Sequence, residues 1–239
     1  MVGAPDARRA WSDLIYSVGT GEPAFPHVFG TDTFTHRESR PADAAIFNSA
    51  MAELTRQVAG AVIAAYDFAD VRTVMDIGGG NGAFLCALLN GVPHLNGILF
   101  DLPSGLTEAT ALIAGLGERC RIVPGDFFKS IPGKSDAYVM KSVIHDWDDE
   151  RSRAILTNCA AAMPPHAKLL LIEQVLPALA ADAADHRRVL LTDLNMLVMT
   201  GGRERDEAEY RHLLNESGLS LIRVLGTASS FSIIEAALR

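Results

Sequence analysis

The stretch Val74-Met75-Asp76-Ile77-Gly78-Gly79-Gly80-Asn81-Gly82 decides the fold. Arg72 to Ile77 is a short apolar run that stops at glycines, which predicts a buried strand. The glycine turn then opens a helix predicted over residues 82–89. Glycine lets a ligand approach the backbone closely, and a helix N-terminus offers unpaired N–H groups to a negative one. A strand, a glycine turn and a helix in that order mark the first unit of a nucleotide-type binding sheet.

Downstream, strands are predicted at 97–100, 121–123, 137–141, 168–172, 220–224 and 230–236. Helices are predicted at 103–115, from a cap at Asp148 or Asp149 to Ala162, at about 185–199 and at about 206–217. Pro164-Pro165 stops the second of these. Strands alternating with helices give an α/β fold, a Rossmann-like, doubly wound and mostly parallel seven-stranded sheet. The link between the last two strands, around Gly226, is too short for a parallel crossover, so the final strand is expected to be antiparallel.

Upstream the pattern is helical. Ala10, Trp11, Leu14, Ile15 and Val18 recur at helical spacing over residues 7–18. Gly19 to Pro23 ends that helix and opens an aromatic loop with Phe25, His27, Phe29 and Phe34. Pro41 begins a long helix reaching about Tyr66. The chain thus divides into a helical substrate or lid segment, 1–70, and a Rossmann-like domain, 71–239.

Composition narrows the partners. The chain has 239 residues, 49% of them apolar and 21% charged, as in soluble globular proteins. A formal net charge of −8 supplies no broad positive field, which argues against nucleic acid. No apolar stretch approaches the ~20 residues that cross a bilayer. The N-terminus shows no signal-peptide pattern, and Cys86, Cys120 and Cys159 are widely spaced without a Cys-x-x-Cys. Together these features predict a cytoplasmic protein with reduced thiols and no membrane contact.

The turn alone leaves the cofactor open. Gly78-x-Gly80-x-x-Ala83 also satisfies the dinucleotide fingerprint. Asp101, ending the next strand, is placed to accept two ribose hydroxyls. Three features favour S-adenosylmethionine over NAD. Asp76 would crowd a pyrophosphate but suits the ammonium of a methionine moiety. Asp126 in Gly125-Asp126-Phe127-Phe128 can bond an adenine amino group while Phe127 packs on the ring. The antiparallel final hairpin is the third.

Lys141-Ser142-Val143-Ile144-His145-Asp146-Trp147-Asp148-Asp149-Glu150 begins at the C-terminal end of the fourth strand, the edge where open sheets bind ligands. His145 there is placed to take a proton from a bound hydroxyl. Taken singly it is more often a loop histidine, and the aspartates serve equally as helix caps. His145, Asp146 and Asp149 form a metal-capable set, but no second cluster of matching type accompanies them, so no metal is expected. Glu173 directly follows a buried strand, where a carboxylate is costly unless paired or working. Glu204 reads equally as a solvated charge among Arg203, Arg205 and Asp206. Spacing joins neither glutamate to His145.

The ordered motifs, with Gly201-Gly202-Arg203-Glu204-Arg205 as the last, resemble the class I S-adenosylmethionine-dependent O-methyltransferases of the plant caffeate-type family, in particular their bacterial relatives of secondary metabolism. The glycine motif is common to many methyltransferases; the His-Asp-Trp and Gly-Gly-Arg-Glu-Arg pair is far more specific. The resemblance runs from about Ala10 to Arg239. It implies His145 as catalytic base with Glu173 and Glu204 flanking its imidazole. It places Thr55, Asp76, Gly78, Gly80, Asp101, Leu102, Asp126, Phe127, Lys141 and Trp147 around the cofactor. Phe25, Phe47, Met51, Asp146, Met196 and Met199 fall where the family lines its acceptor pocket, with core packing the rival role for the apolar ones.

The implied reaction transfers a methyl group from S-adenosylmethionine, leaving S-adenosylhomocysteine, to a phenolic or enolic hydroxyl of a small aromatic or polyketide-like metabolite. Asn81 stands where the family more often has Thr. The family carries a winged-helix dimerisation domain ahead of the region matched here, so a homodimer is typical of it. Two other readings stand beside this one: an NAD-dependent oxidoreductase on a similar sheet, and a catalytically silent S-adenosylmethionine-binding regulatory protein.

Overall fold

The computed structural model describes residues 4–177 and 186–239. Five helices come first: α1 (Pro5–Trp11), α2 (Leu14–Thr20), α3 (Ala24–Phe29), α4 (Thr33–Glu38) and α5 (Pro41–Ala65). There follow β1 (Thr73–Ile77), α6 (Ala83–Gly91), β2 (Asn96–Asp101), α7 (Ala109–Ile113), β3 (Cys120–Pro124), β4 (Ala137–Lys141), α8 (Asp149–Ala162) and β5 (Lys168–Glu173). Two short strands, β6 (Val175–Leu176) and β7 (Arg205–Asp206), bracket α9 (Arg187–Met199). Then α10 (Glu207–Glu216), β8 (Leu219–Gly226) and β9 (Ser232–Leu238) close the chain.

The main sheet has seven strands in the order β3-β2-β1-β4-β5-β9-β8. The pairings from β3 through β5 are parallel, whereas β9 is antiparallel to both β5 and β8. The expected sheet, including its antiparallel end, is the one observed. Alternation along each buried strand divides the core between two faces. Val74 and Val139 face a cluster with Val58, Val62, Leu85 and Leu88 from α5 and α6. Met75 and Tyr138 face Ile155, Leu156, Tyr210 and Leu213 from α8 and α10.

The sequence misses the segmentation of the N-terminal part. The expected helix over 7–18 breaks into α1 and α2 at Ser12-Asp13, and the expected aromatic loop contains α3 and α4. Asp32 caps α4 by accepting from the N–H groups of Phe34 and Thr35, 2.9 Å each. Helices this short do not stand alone. α1 to α3 are held by a third cluster in which Phe25, Ala10 and Ala24 pack on Val198 of α9, and α4 joins it through His36, edge-on to Phe25. Trp11 also donates from Nε1 to Asn195 Oδ1 at 3.0 Å. The helical segment therefore draws α9 to itself across most of the chain length. The helix expected over 103–115 is regular only from Ala109 to Ile113.

Among the described residues, no helix is long and apolar enough to cross a membrane.

Candidate active site

The glycine turn leaves the end of β1, which lies between β2 and β4 in the sheet. Gly78, Gly80 and Gly82 take φ values of 68°, 56° and 82°, the left-handed region that glycine enters without penalty. A Cβ on Gly78 would lie 2.9 Å from the Val143 side chain and 3.5 Å from Phe127, so its absence lets those residues close on the turn. Gly80 has nothing within 4 Å of where its Cβ would be. Its N–H donates to Asp101 Oδ2 at 2.7 Å, and the Leu102 N–H donates to Oδ1 at 2.6 Å. Asp101 is thus fixed across the mouth of the turn with lone pairs to spare for a ligand.

Asp76 lies below this mouth. It is buried, its Oδ2 has no hydrogen-bond partner, and a Cβ on Gly79 would sit 2.5 Å from that oxygen. Burial pushes its carboxyl up to about 7, with Asp101 adding to the rise and Lys141 opposing it. Lys141, at the end of β4, is itself lowered by burial against the pull of Glu173, Asp76 and Asp146.

Beyond β3, Asp126 accepts from the Phe128 N–H at 2.9 Å, and Asn158 donates to the Phe127 carbonyl at 2.9 Å. An open cleft of about 540 Å³ runs along Leu102, Pro103, Gly125, Asp126 and Ile131. It lies on the β3 side of the sheet and does not extend to His145. Trp147 packs against the aromatic pair that follows Asp126. Its ring stacks on Phe34 of α4 at 5.7 Å between centroids and meets Phe128 edge-on at 4.9 Å and Phe127 at 6.3 Å.

His145 sits on a single 3-10 turn, Ile144–Asp146, just past β4. The chain reaches it through Ser142, a non-glycine residue at φ 54°, a conformation costing about 1–2 kcal/mol that the fold must impose. Glu173, at the end of the neighbouring β5, explains how. Its Oε1 accepts from the Val143 and Ile144 N–H groups at 3.0 and 2.9 Å, fixing the start of the turn. Its Oε2 lies 3.6 Å from His145 Nδ1. Glu204 Oε1 lies 3.0 Å from the same nitrogen, and the Glu204 backbone N–H donates to Asp193 Oδ1 at 2.9 Å.

Both acids therefore brace Nδ1, leaving Nε2 with only Asp146 Oδ1, at 3.9 Å, as an ionic neighbour. Burial opposes charge on the imidazole, but Glu173, Glu204 and Asp146 outweigh it and push His145 up to about 10. Glu173 is fully buried and raised to about 7, desolvation exceeding the help of His145 and the two N–H donors. Asp146 is raised by burial as well, against the charges of His145, Arg37 and Lys141. His145, Glu173 and Glu204 offer ligand atoms within 4.8 Å of one another. This is not the His145, Asp146 and Asp149 set that the sequence suggests; His145 Nδ1 and Glu204 Oε1 are already paired, while Glu173 Oε2 and Glu204 Oε2 have no hydrogen-bond partner.

Glu173 and Glu204 meet at His145 through two devices that sequence reasoning misses. β6 and β7, the short strands that begin just beyond each acid, pair in parallel, Val175 with Arg205 and Leu176 with Asp206. Gly202 then runs so close to the turn that a Cβ there would lie 2.0 Å from the His145 carbonyl oxygen and 2.5 Å from the Asp146 carbonyl carbon. The one sequence signal of this approach is the glycine pair preceding Arg203.

Of the residues expected to line the acceptor pocket, Phe25 is buried in the α1–α3–α9 cluster against Phe29 and His36. Met196 is buried, Met51 and Met199 are half-buried, and Phe47 lies on α5 with its side chain outside what the structure describes. Thr55 is buried midway along α5.

The family model described as an O-methyltransferase domain matches residues 11–220, and the chain belongs to that family. It is 46% identical to an O-demethylpuromycin-O-methyltransferase of Streptomyces alboniger, over 96% of this chain and 62% of that protein. It is also 46% identical to a phenazine O-methyltransferase of Lysobacter antibioticus, over 95% of this chain and 66% of that protein. The chain thus spans less than two thirds of the length of these curated relatives. Among solved structures, an O-methyltransferase from neocarzinostatin biosynthesis in complex with S-adenosylmethionine and 2-hydroxy-5-methyl naphthoic acid superposes with a TM-score of 0.86. That match is 31% identical and covers all of this chain and 75% of the other.

Proposed function

We propose that this chain transfers a methyl group from S-adenosylmethionine to a hydroxyl of a small aromatic or polyketide-like metabolite, with His145 as general base. The observation that carries the reading is the one-sided bracing of His145. Two buried acids hold Nδ1, and Nε2 is left as the nitrogen that can accept a proton.

The residues present fit the cofactor. A carboxylate with spare lone pairs at Asp101, an unobstructed Gly80, Asp126 with its neighbouring aromatic rings, and the unpartnered Asp76 oxygen together make a cradle for a charged nucleoside. When bound there, S-adenosylmethionine supplies an electrophilic methyl group. Asp76, Gly78, Gly80, Asp101, Leu102, Asp126, Phe127, Lys141, Trp147 and Thr55 are the residues we assign to holding it. Asp146 and the methionines Met51, Met196 and Met199 are assigned to the acceptor side.

His145 then removes the acceptor's proton as its oxygen becomes the nucleophile. Glu173 and Glu204 stabilise the imidazolium and keep Nδ1 protonated, so that Nε2 does the work. Holding the acceptor in line supplies most of the rate. Family membership and the intact trio of His145, Glu173 and Glu204 favour this reading over a dinucleotide-linked oxidoreductase or a silent binding protein. Three free cysteines agree with a cytoplasmic setting.

The test is His145→Gln in the whole chain. S-adenosylhomocysteine binding by calorimetry should stay within about twofold while methyl transfer to a panel of phenols and naphthols falls by about 10²–10⁴. A variant methylating at the parental rate removes His145 from the mechanism.

A further inference from the structure

Arg205 is among the largest side chains that are fully buried, and the reaction described above gives it no part. Its guanidinium spends its donors almost entirely on the segment carrying the base. Nη1 donates to the Ile144 carbonyl at 3.1 Å and Nη2 to the Trp147 carbonyl at 2.9 Å, so the two carbonyls flanking the His145-Asp146 pair are gripped by one planar group. Nε and Nη2 both reach Asp149 Oδ1, at 3.0 and 2.7 Å, and Nη2 also reaches Ser152 Oγ at 3.3 Å. Arg205 directly follows Glu204, and it pairs through β7 with Val175, two residues beyond Glu173.

We propose that Arg205 is a positioning residue: its guanidinium locks the turn bearing His145 to the strand end bearing Glu204, and so sets the distance at which the acid meets Nδ1. The inference rests on His145 being the base. The chemistry favours a fork over any other cation. Hydrogen bonds from a charged donor are about twice as strong as neutral ones, and five donors in a fixed plane can hold several acceptors in one geometry. A lysine ammonium at the same place is a point charge with three donors and cannot span both carbonyls and Asp149. Asp149 offsets the buried charge while remaining half-exposed itself, which suits an anchor better than a second buried acid would.

The clamp makes a claim that simple core filling does not. If Arg205 only filled space, Arg205→Lys would lower stability and leave the His145–Glu204 contact as it was. A clamp fixes that contact, so the proton affinity of His145 changes with it.

The experiment titrates His145 by NMR of nitrogen-labelled histidine in the full chain, with the His145→Gln spectrum assigning its signal. S-adenosylhomocysteine binding is followed by calorimetry. In Arg205→Lys the His145 midpoint should fall by about one pH unit or more, a tenfold loss of proton affinity, as Nδ1 and Glu204 separate. Cofactor-product binding should stay within about twofold, because the glycine cradle is untouched. Asp149→Asn, at a half-exposed position, removes the anchor and should shift the midpoint in the same direction by less; it also covers the case in which Arg205→Lys does not fold. A folded Arg205→Lys with the parental midpoint, or an unchanged midpoint in Asp149→Asn where Arg205→Lys fails to fold, overturns the proposal. A parental chain that transfers no methyl group, alongside an Arg205→Lys midpoint that falls as expected, refutes the function and leaves the clamp standing.

Discussion

Around the glycine turn the polar contacts are made by backbone: the N–H groups of Gly80 and Leu102 fix Asp101, and that of Phe128 fixes Asp126. On the far side of Val143 the contacts are made by buried side chains from distant parts of the chain, Glu173, Glu204 and Arg205, closing on one imidazole. A cradle of backbone and glycine is local, since each of its pieces is specified by a few consecutive residues at the end of one strand and the ligand supplies the missing partners. A base held by buried acids is global, because each charge must be brought from elsewhere and compensated on arrival.

The largest effect expected from this difference separates two glycines. In Gly202→Ala the new methyl would lie 2.0 Å from the His145 carbonyl oxygen, a backbone atom that cannot swing aside. We expect a stability loss of at least about 3 kcal/mol and no measurable turnover. In Gly80→Ala the methyl meets nothing within 4 Å, and only the positive φ is penalised, by about 1–2 kcal/mol. Urea denaturation of both variants checks the order; Gly80→Ala proving the more damaging would reverse the assignment of which side is rigid.

The next effect concerns the base alone. A raised His145 is protonated at neutral pH, and a base must first be free of its proton. The rate kcat/KM should therefore climb about tenfold per pH unit from pH 7 until it nears the His145 midpoint of about 10. In Glu204→Gln the limb should move to lower pH while the plateau falls, because the imidazolium has lost an acid. The same shift has a stability sign. The folded His145 midpoint lies above its ordinary 6.5, so its stabilising contribution is complete below that pH and is lost as pH rises through about 10. A pH-rate profile flat from 7 to 9 would show that His145 does not take the proton.

The same local–global division explains what could be read from the chain. The strands around the turn, a helix cap at Asp148 or Asp149 (it falls on Asp148) and the antiparallel end were legible because hydrophobic period and turn length determine them within a few residues. The glutamates were legible only as suspicious residues. Glu204 lies 59 positions from His145, and the ladder that unites the acids is two residues long, too short to leave any period. Arg205 read as one of several surface charges, and only its burial reveals otherwise. In the N-terminal part, α3 and α4 owe their existence to packing on α9 and to the Asp32 cap, not to an amphipathic repeat.

Asp76 tests the boundary between the two regions, being a buried acid that belongs to the cradle. Its folded midpoint of about 7 lies above the ordinary 3.8, so the folded chain holds a proton that the unfolded chain releases. The resulting penalty is absent below pH 4, grows to pH 7 and is constant above, which means that stability is lost as pH rises through that window. Asn is nearly isosteric and cannot ionise, so whatever its amide costs is the same at every pH. Relative to the parent, Asp76→Asn should therefore gain about 3–4 kcal/mol between pH 4 and pH 8, read as a growing difference in Tm. S-adenosylmethionine should shrink that difference at pH 8 if its ammonium pairs with the ionised carboxylate, since the parent then recovers what burial took from it. A pH-independent difference would mean that the Asp76 carboxylate is already compensated without a ligand, and that the cradle, like the base, is completed by the protein's own charges.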